Sequence, residues 1–207
     1  MSPKPADPAV RTELVEAAAR VLADEGPRAL TTRRLAAEVG TSTMAVYTYF
    51  GGMDEVRRAV RREGFARLAA HLDATPRSAD PVADLVAAGA AYLTNGLANP
   101  HLYRAMFLER PPDDDAAVGI DTFQRLVDAV RRCIEAGRFH QVNPWGLAVQ
   151  LWTMRHGMVS LALAGLLPAE QISRHIADMT MRLFVGYGDD PAAAQRSVDR
   201  ALRDYQH

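Results

Sequence analysis

Apolar residues recur every three or four positions along almost the whole chain, and no stretch alternates apolar and polar residues long enough to make a strand. Val10, Leu14, Ala17, Ala18, Val21 and Leu22 keep this helical spacing until Gly26-Pro27 stops it. Two short helical segments follow, 32–39 ended by Gly40 and 42–50 ended by Gly51-Gly52. A longer one runs over 54–72, and Thr75-Pro76-Arg77-Ser78 reads as a linker. Beyond it, Asp80-Pro81 supplies an N-cap and a first-turn proline for a helix reaching Ala98. Pro100 opens a short helix carrying Tyr103, Met106 and Phe107, and Pro111-Pro112-Asp113-Asp114-Asp115 reads as a polar loop. Helices over 117–136, 144–167, 168–187 and 191–205 complete the pattern, the last three each opened by a proline. The expected fold is all-α: an N-terminal three-helix head over 8–53, a connecting helix over 54–72, and a C-terminal helical domain over 79–207.

Residues 32–50 have the internal logic of a helix-turn-helix. Ala36 sits where the first short helix meets the second, and its small side chain lets the two axes cross closely. Four residues on, Gly40 ends the first helix where a left-handed backbone is needed. Ser42 offers a hydroxyl cap to the second. Val46 and Phe50, one turn apart, are expected to face inward with Leu35 and Val39. The opposite face carries Met44 and Thr48, flanked by Ala45 and Tyr47. An uncharged face with its N-terminus leading has the shape needed to enter a major groove and read base edges.

Leu30-Thr31-Thr32-Arg33-Arg34-Leu35-Ala36-Ala37-Glu38-Val39-Gly40-Thr41-Ser42, followed by Val46-Tyr47-Thr48-Tyr49-Phe50, resembles the DNA-binding segment of TetR-family transcriptional regulators. The order of elements is similar over essentially the whole chain. The resemblance makes Thr32 a phosphate-bonding position and Arg33 one that in some members reaches a guanine, which suits bidentate Arg–guanine pairing. It puts Thr43, Met44 and Ala45 at the exposed start of the recognition helix, Tyr47 at the family's near-constant tyrosine, and Thr48 and Tyr49 at phosphate-facing positions. Two residues depart from the pattern. Thr41 replaces the usual valine of Gly-Val-Ser, and Met53 stands where many members have a phosphate-binding lysine, a contact that Arg57 or Arg58 is then expected to replace.

In the C-terminal half, Leu151-Trp152-Thr153-Met154-Arg155-His156-Gly157 resembles the Trp-x-x-x-His-Gly signature of one class of C-terminal domains in that family, and residues 99–107 fit the same class. Trp152 and His156 fall one turn apart on one helix face. Gly157, Ala162, Ala164 and Gly165 are expected to permit close helix approach. A ligand pocket would be bordered by Trp152, Arg155 and His156, with Tyr92, Met106, Phe107 and Phe123 arriving from other helices. A packed core, with His156 bonded to a backbone carbonyl, accounts for the same residues. The resemblance implies a cytoplasmic, ligand-responsive regulator, a repressor, that binds a pseudo-palindromic double-stranded DNA operator. It would act as a homodimer through the helices near 144–167 and 168–187, and a small-molecule effector would release it.

Composition narrows the alternatives. A chain of 207 residues with 48% hydrophobic and 24% charged residues holds one large domain or two small ones and is not disordered as a whole. Cys133 is the lone cysteine, which excludes an internal disulfide and a Cys-rich zinc site and fits a reducing compartment. The start, Met1-Ser2-Pro3-Lys4-Pro5, has no apolar run behind it and reads as no signal peptide. The longest apolar stretch, 157–167, is too short to span a bilayer, so no membrane association is expected. The six histidines, at 71, 101, 140, 156, 175 and 207, show no paired metal-ligand spacing. No nucleophile elbow, phosphate loop or dinucleotide fingerprint occurs, so neither an enzyme nor a cofactor or metal is expected. Asp113-Asp114-Asp115 reads as a solvated acidic loop and Cys133 as a half-buried structural residue.

The net charge of −1 first argues against a nucleic-acid partner. It divides unevenly, however: residues 1–62 carry ten Lys/Arg against eight Asp/Glu, and residues 63–207 carry fourteen against seventeen. Arg33, Arg34, Arg57, Arg58, Arg61 and Arg62 cluster in the head, either as a basic surface or as solvated helix faces. The rival from another class is a helical small-molecule-binding or protein-interaction module whose helix-turn-helix no longer reads DNA. Met44, Ala45 and the missing lysine at Met53 leave room for it.

Overall fold

The computed structural model describes residues 7–75, 77–108 and 119–204. The chain start at 1–5, Pro76 of the linker, the acidic loop at 111–115, the first residues of the 117–136 segment and Tyr205 lie outside the described residues. Among those described, every regular element is a helix: α1 Pro8–Glu25, α2 Thr32–Val39, α3 Thr43–Phe50, α4 Met53–Asp73, α5 Pro81–Ala98, α6 Pro100–Leu108, α7 Ile120–Glu135, α8 Pro144–Leu163, α9 Ala169–Gly186 and α10 Pro191–Asp204.

The helix starts are set by side-chain caps. Asp7 accepts from the Ala9 amide at 2.9 Å, Thr31 from Arg34 at 3.2 Å, Ser42 from Ala45 at 3.1 Å and Asn143 from Trp145 at 3.0 Å. Asp80 takes the amides of Val82 and Ala83, both at 3.2 Å, and Asp190 takes Ala193 at 2.8 Å. Each such cap contributes about 1 kcal/mol, and a following proline loses nothing because its missing N–H would be unpaired there anyway.

One helix end falls four residues short of the sequence expectation. α8 stops at Leu163, not Leu167, because Gly165 adopts φ 70° and closes the turn. Its amide bonds Ala162 O at 2.9 Å and the next amide, of Leu166, reaches back to Leu161 O at 3.0 Å. Gly165 therefore terminates a helix; it does not extend the small-residue contact surface.

The chain divides into two compact units, and the division is not the contiguous one expected from the sequence. The first unit comprises the chain to Arg67 together with α6. Leu14, Ala18, Leu22, Leu30, Leu35, Val46, Phe50, Val56 and Val60 form its core, and Leu102 and Ala105 of α6 are buried in the same cluster. Gly64 leaves room for the Met106 side chain, and the Arg61 Nη1 donates to Met106 O at 3.2 Å. A short helix with an apolar face this complete is held by what it covers, and α6 covers α1.

The second unit comprises the end of α4 with α5 and α7 to α10. Leu85, Val127, Val130, Leu147, Leu151, Phe184 and Tyr187 make its core, with the ring of Phe139 5.3 Å from Phe184 and 5.4 Å from Tyr187. Arg138 ties its loops together. Its guanidinium donates to both oxygens of Asp189, at 2.6 and 2.8 Å, and to Asp80 at 3.3 Å. Cys133 is fully buried rather than half-buried, and donates to Pro81 O at 3.3 Å. Burial pushes its thiol up to about 12, so it stays protonated and unreactive.

Candidate functional site

The helix-turn-helix is built by two left-handed glycines and two hydroxyl caps. Gly40, at φ 68°, ends α2 with its amide on Ala37 O while the Thr41 amide returns to Ala36 O at 2.9 Å. Ser42 then starts α3, and Gly51, at φ 73°, ends it. Within α3, Val46 is wholly buried and Phe50 nearly so. They lock the helix to Leu35 and Ala36, so the other face must point outward. That face is open: Met44 is 70% and Tyr47 52% exposed, unusual values for large apolar side chains.

The remaining sequence-predicted positions grade from open to partly covered. Arg33, Thr43 and Thr48 are exposed, and the Thr48 hydroxyl donates back to Met44 O at 2.9 Å, leaving its oxygen lone pairs outward. Thr32 and Ala45 are half-buried. Tyr49 is half-buried too, against the head core, with its ring 6.4 Å from that of Phe50.

The arginine cluster separates into two kinds of residue. Arg34 donates to Glu25 at 2.8 and 3.2 Å and to Glu38 at 2.9 Å, tying the end of α1 to α2. Those carboxylates hold its guanidinium above the ordinary arginine value, the Glu38 hydrogen bond first among them. Arg57 reaches Asp54 at 3.1 Å and Pro27 O at 3.4 Å, Arg58 reaches Glu55 at 2.7 Å, and Arg62 pairs with the same Glu55. Arg61 lies over the Phe65 ring at 5.1 Å. The cluster is therefore mostly internal ion pairing, and Met53 packs against the core. Arg33 makes no ion pair among the described residues.

The second cluster lies in the second unit. Trp152 and His156, half-buried on α8, have rings 5.5 Å apart, and Phe123 of α7 meets Trp152 at 6.1 Å. Trp145, which the sequence did not single out, extends the row with its ring 4.7 Å from Phe123. Tyr92 of α5 brings its hydroxyl to 3.5 Å from His156 Nδ1. Burial pulls His156 below its ordinary value, which favours the neutral ring. Met106 and Phe107, expected among these residues, belong to the first unit. There Met106 fits against Gly64, and the Phe107 ring stands 6.3 Å from Phe65 and 5.0 Å from Tyr103.

Arg155 differs from every other arginine in the second unit. It is 4% exposed and donates from Nη2 to Leu85 O at 3.3 Å. Its guanidinium lies against Gly89 of α5, so closely that a Cβ there would overlap Nη2, Cζ and Nε. Nothing in the sequence pattern pointed to Gly89, because a glycine mid-helix shows its reason only when a partner side chain is known. Among the described residues no group of three or more His, Cys, Asp or Glu side chains could hold a metal, and no helix is long and apolar enough to cross a membrane.

Residues 14–60 match the family described as bacterial regulatory proteins, tetR family, and residues 85–184 match the one described as the tetracyclin repressor-like C-terminal domain. An uncharacterized HTH-type transcriptional regulator of Mycobacterium tuberculosis is 27% identical over 178 residues, spanning 85% of this chain and 80% of that protein. A Rhodococcus protein of unknown function has a similar structure, with a TM-score of 0.75 and 22% identity over 91% of this chain and all of that one. The TetR-family transcriptional regulator PfmR of Thermus thermophilus follows with a TM-score of 0.70 and 23% identity, over 82% of this chain and 97% of that one. At these identities the two structures speak for the fold.

Proposed function

As a member of the TetR family of DNA-binding transcriptional regulators, this chain, we propose, works as a homodimeric repressor of a pseudo-palindromic operator, released by a small molecule bound in its second unit. The open face of α3 carries the reading: one side of an eight-residue helix is locked inward while Met44 and Tyr47 stand out in water. In the proposed complex Arg33 and Tyr47 reach base edges, with Thr43, Met44 and Ala45 leading the recognition helix into the groove. Thr32, Thr48 and Tyr49 set its register through phosphates. With Arg34, Arg57, Arg58 and Arg62 of the head engaged in ion pairs, non-specific affinity is modest and specificity falls to a few contacts made twice.

The second copy packs along α8 and α9. These helices leave Val149, Leu161, Met179 and Val185 exposed, an apolar allotment that a bundle with a two-fold mate would cover. The effector site is the cluster of Tyr92, Phe123, Trp152, Arg155 and His156. A ligand that empties an operator must favour the released state by roughly 10⁴-fold, and DNA must weaken its binding by the same factor. A module whose helix-turn-helix no longer reads DNA is not favoured by the match over 14–60.

Selection of bound fragments from genomic DNA tests the reading. Enrichment of palindromic sites, with affinity falling as salt rises from about 50 to 200 mM, is the expected result. Absence of any enriched fragment at low salt would remove the regulator reading.

A further inference from the structure

Three half-buried arginines of this protein have counter-charges. Arg138 has Asp189 and Asp80, Arg132 has Asp84 at 2.9 Å, and Arg67 has Glu16 and Glu63. Arg155 is more deeply buried than any of them, and no carboxylate pairs with it among the described residues. Its guanidinium carries five N–H donors, and the one acceptor it meets within hydrogen-bond distance there is Leu85 O.

The fold also makes a concession to keep it in place. Gly89 sits inside α5, where glycine costs about 1 kcal/mol relative to alanine, and the missing Cβ is what admits the guanidinium. Among the described residues the groups around it are neutral or nearly so. Tyr92 and Tyr187 contribute phenols, and the Tyr187 hydroxyl is engaged with Gln150 at 3.2 Å. His156, next along α8, is held toward its neutral form. An uncompensated cation in such surroundings is a destabilising feature, and apolar replacements of buried charges are often neutral or stabilising. An arginine so placed, with donors to spare beside the gap at Gly89, offers what an anion would satisfy.

We infer that the effector of the second unit is an organic carboxylate with an aromatic body, its carboxylate held by Arg155 over Gly89 and its ring set against Trp152 and Phe123. This deepens the proposed effector site and rests on it. A guanidinium fork matches a carboxylate with two parallel hydrogen bonds, and the rings of Trp152, Phe123 and Tyr92 offer flat apolar surface beside it. Burial draws the Arg155 guanidinium down to about 10, and it remains a full cation at neutral pH. A neutral effector would leave that charge uncompensated in the bound state.

The test uses the full-length protein and three probe pairs: benzoate, phenylacetate and 3-phenylpropionate, each against its primary amide. Quenching of tryptophan fluorescence reports binding at Trp152 and Trp145, at constant ionic strength in sodium chloride. At least one acid should bind saturably and about 10- to 100-fold more tightly than its amide, the range of a charge-assisted hydrogen bond. Arg155→Met should abolish that preference, and Arg155→Lys should keep part of it. If Arg155→Met does not fold, the acid–amide ratio in the native protein and in Arg155→Lys decides. Equal binding of acid and amide, an undiminished preference in Arg155→Met, or no saturable binding by any of the three acids would each overturn the inference. These measurements contain no DNA, so their failure leaves operator selection untouched. Acid binding without any operator would remove the regulator reading and spare the site.

Discussion

Arg34 and Glu25 meet side chain to side chain, Nη2 to Oε1 at 2.8 Å, so that the end of the first helix is clamped to the start of the helix-turn-helix. Its neighbour Arg33 shares neither carboxylate and stays exposed. Adjacent residues of one type thus have different surroundings. Arg33→Ala should weaken operator binding by about 1–3 kcal/mol and leave the melting temperature unchanged. Arg34→Ala should lower the melting temperature and affect DNA affinity less. Titration of labelled operator alongside thermal unfolding of both variants checks the pair, and a reversed pattern would exchange the assignments.

Gly40 has φ 68° and nothing within 4 Å of where its Cβ would be, so any substitution there is felt through the backbone alone. Gly40→Ala should destabilise the protein by about 1–2 kcal/mol, and Gly40→Asn by clearly less, because asparagine tolerates the left-handed region. Urea unfolding of the two variants separates backbone strain from packing. Equal losses in both would mean that space, not conformation, decides the position.

Gly89 should respond in the opposite sense from an ordinary helical glycine. Alanine in a helix interior normally stabilises by about 1 kcal/mol, but here its Cβ would displace a buried guanidinium, at a cost of about 1–3 kcal/mol. In an Arg155→Met background the clash disappears and Gly89→Ala should become stabilising. A double-mutant cycle on melting free energies reads the change of sign. No coupling would place the guanidinium elsewhere in solution.

Asp80 caps α5 and meets Arg138 and Ser197, the latter donating at 2.8 Å. Burial raises its carboxyl, but the Ser197 and Ala83 hydrogen bonds and the Arg138 and Arg200 cations outweigh it, leaving the group below its ordinary value. A carboxyl depressed in the folded state contributes stability in full above its unfolded value near pH 4, and that contribution is lost as pH falls through the folded value. The urea midpoint should therefore drop as pH falls below about 4, and Asp80→Asn should flatten that drop while costing stability at pH 7. An acid transition of unchanged size in Asp80→Asn would assign it to other carboxylates.

Met179 and Val185 on α9 are exposed by 39% and 40%. If α9 lies in the two-fold interface, Met179→Asp and Val185→Asp should yield monomers by sedimentation and lose most operator affinity, because both half-sites must be held at once. Dimers that persist in both variants would move the interface to another face.

Local chemistry was readable from the chain without coordinates. Periodicity, hydroxyl caps, prolines and terminal glycines placed most helices within a residue or two, and the inward pair Val46 and Phe50 followed from spacing one turn apart. Each of these signals acts within about five residues. The end of α8 was misplaced because Gly165 allows two readings, a small contact residue or a left-handed terminator, and only its backbone angle distinguishes them. The arginine cluster was ambiguous for a related reason. Whether a guanidinium faces solvent depends on where its carboxylates lie, and Glu25 is nine residues from Arg34.

What the sequence determined by itself was the all-helical character, the helix-turn-helix with its outward face, and the family to which both belong. Those features follow from short-range hydrogen bonding and from one side of each helix having to leave water. Tertiary structure alone decided which residues meet. It grouped α6 with the head, which takes Met106 and Phe107 into the first unit, and it laid Arg155 across Gly89 without a counter-charge among the described residues. Such pairings join residues dozens of positions apart, and their energies come from burial and from the charges that burial leaves uncompensated. No local pattern of residue types encodes either quantity.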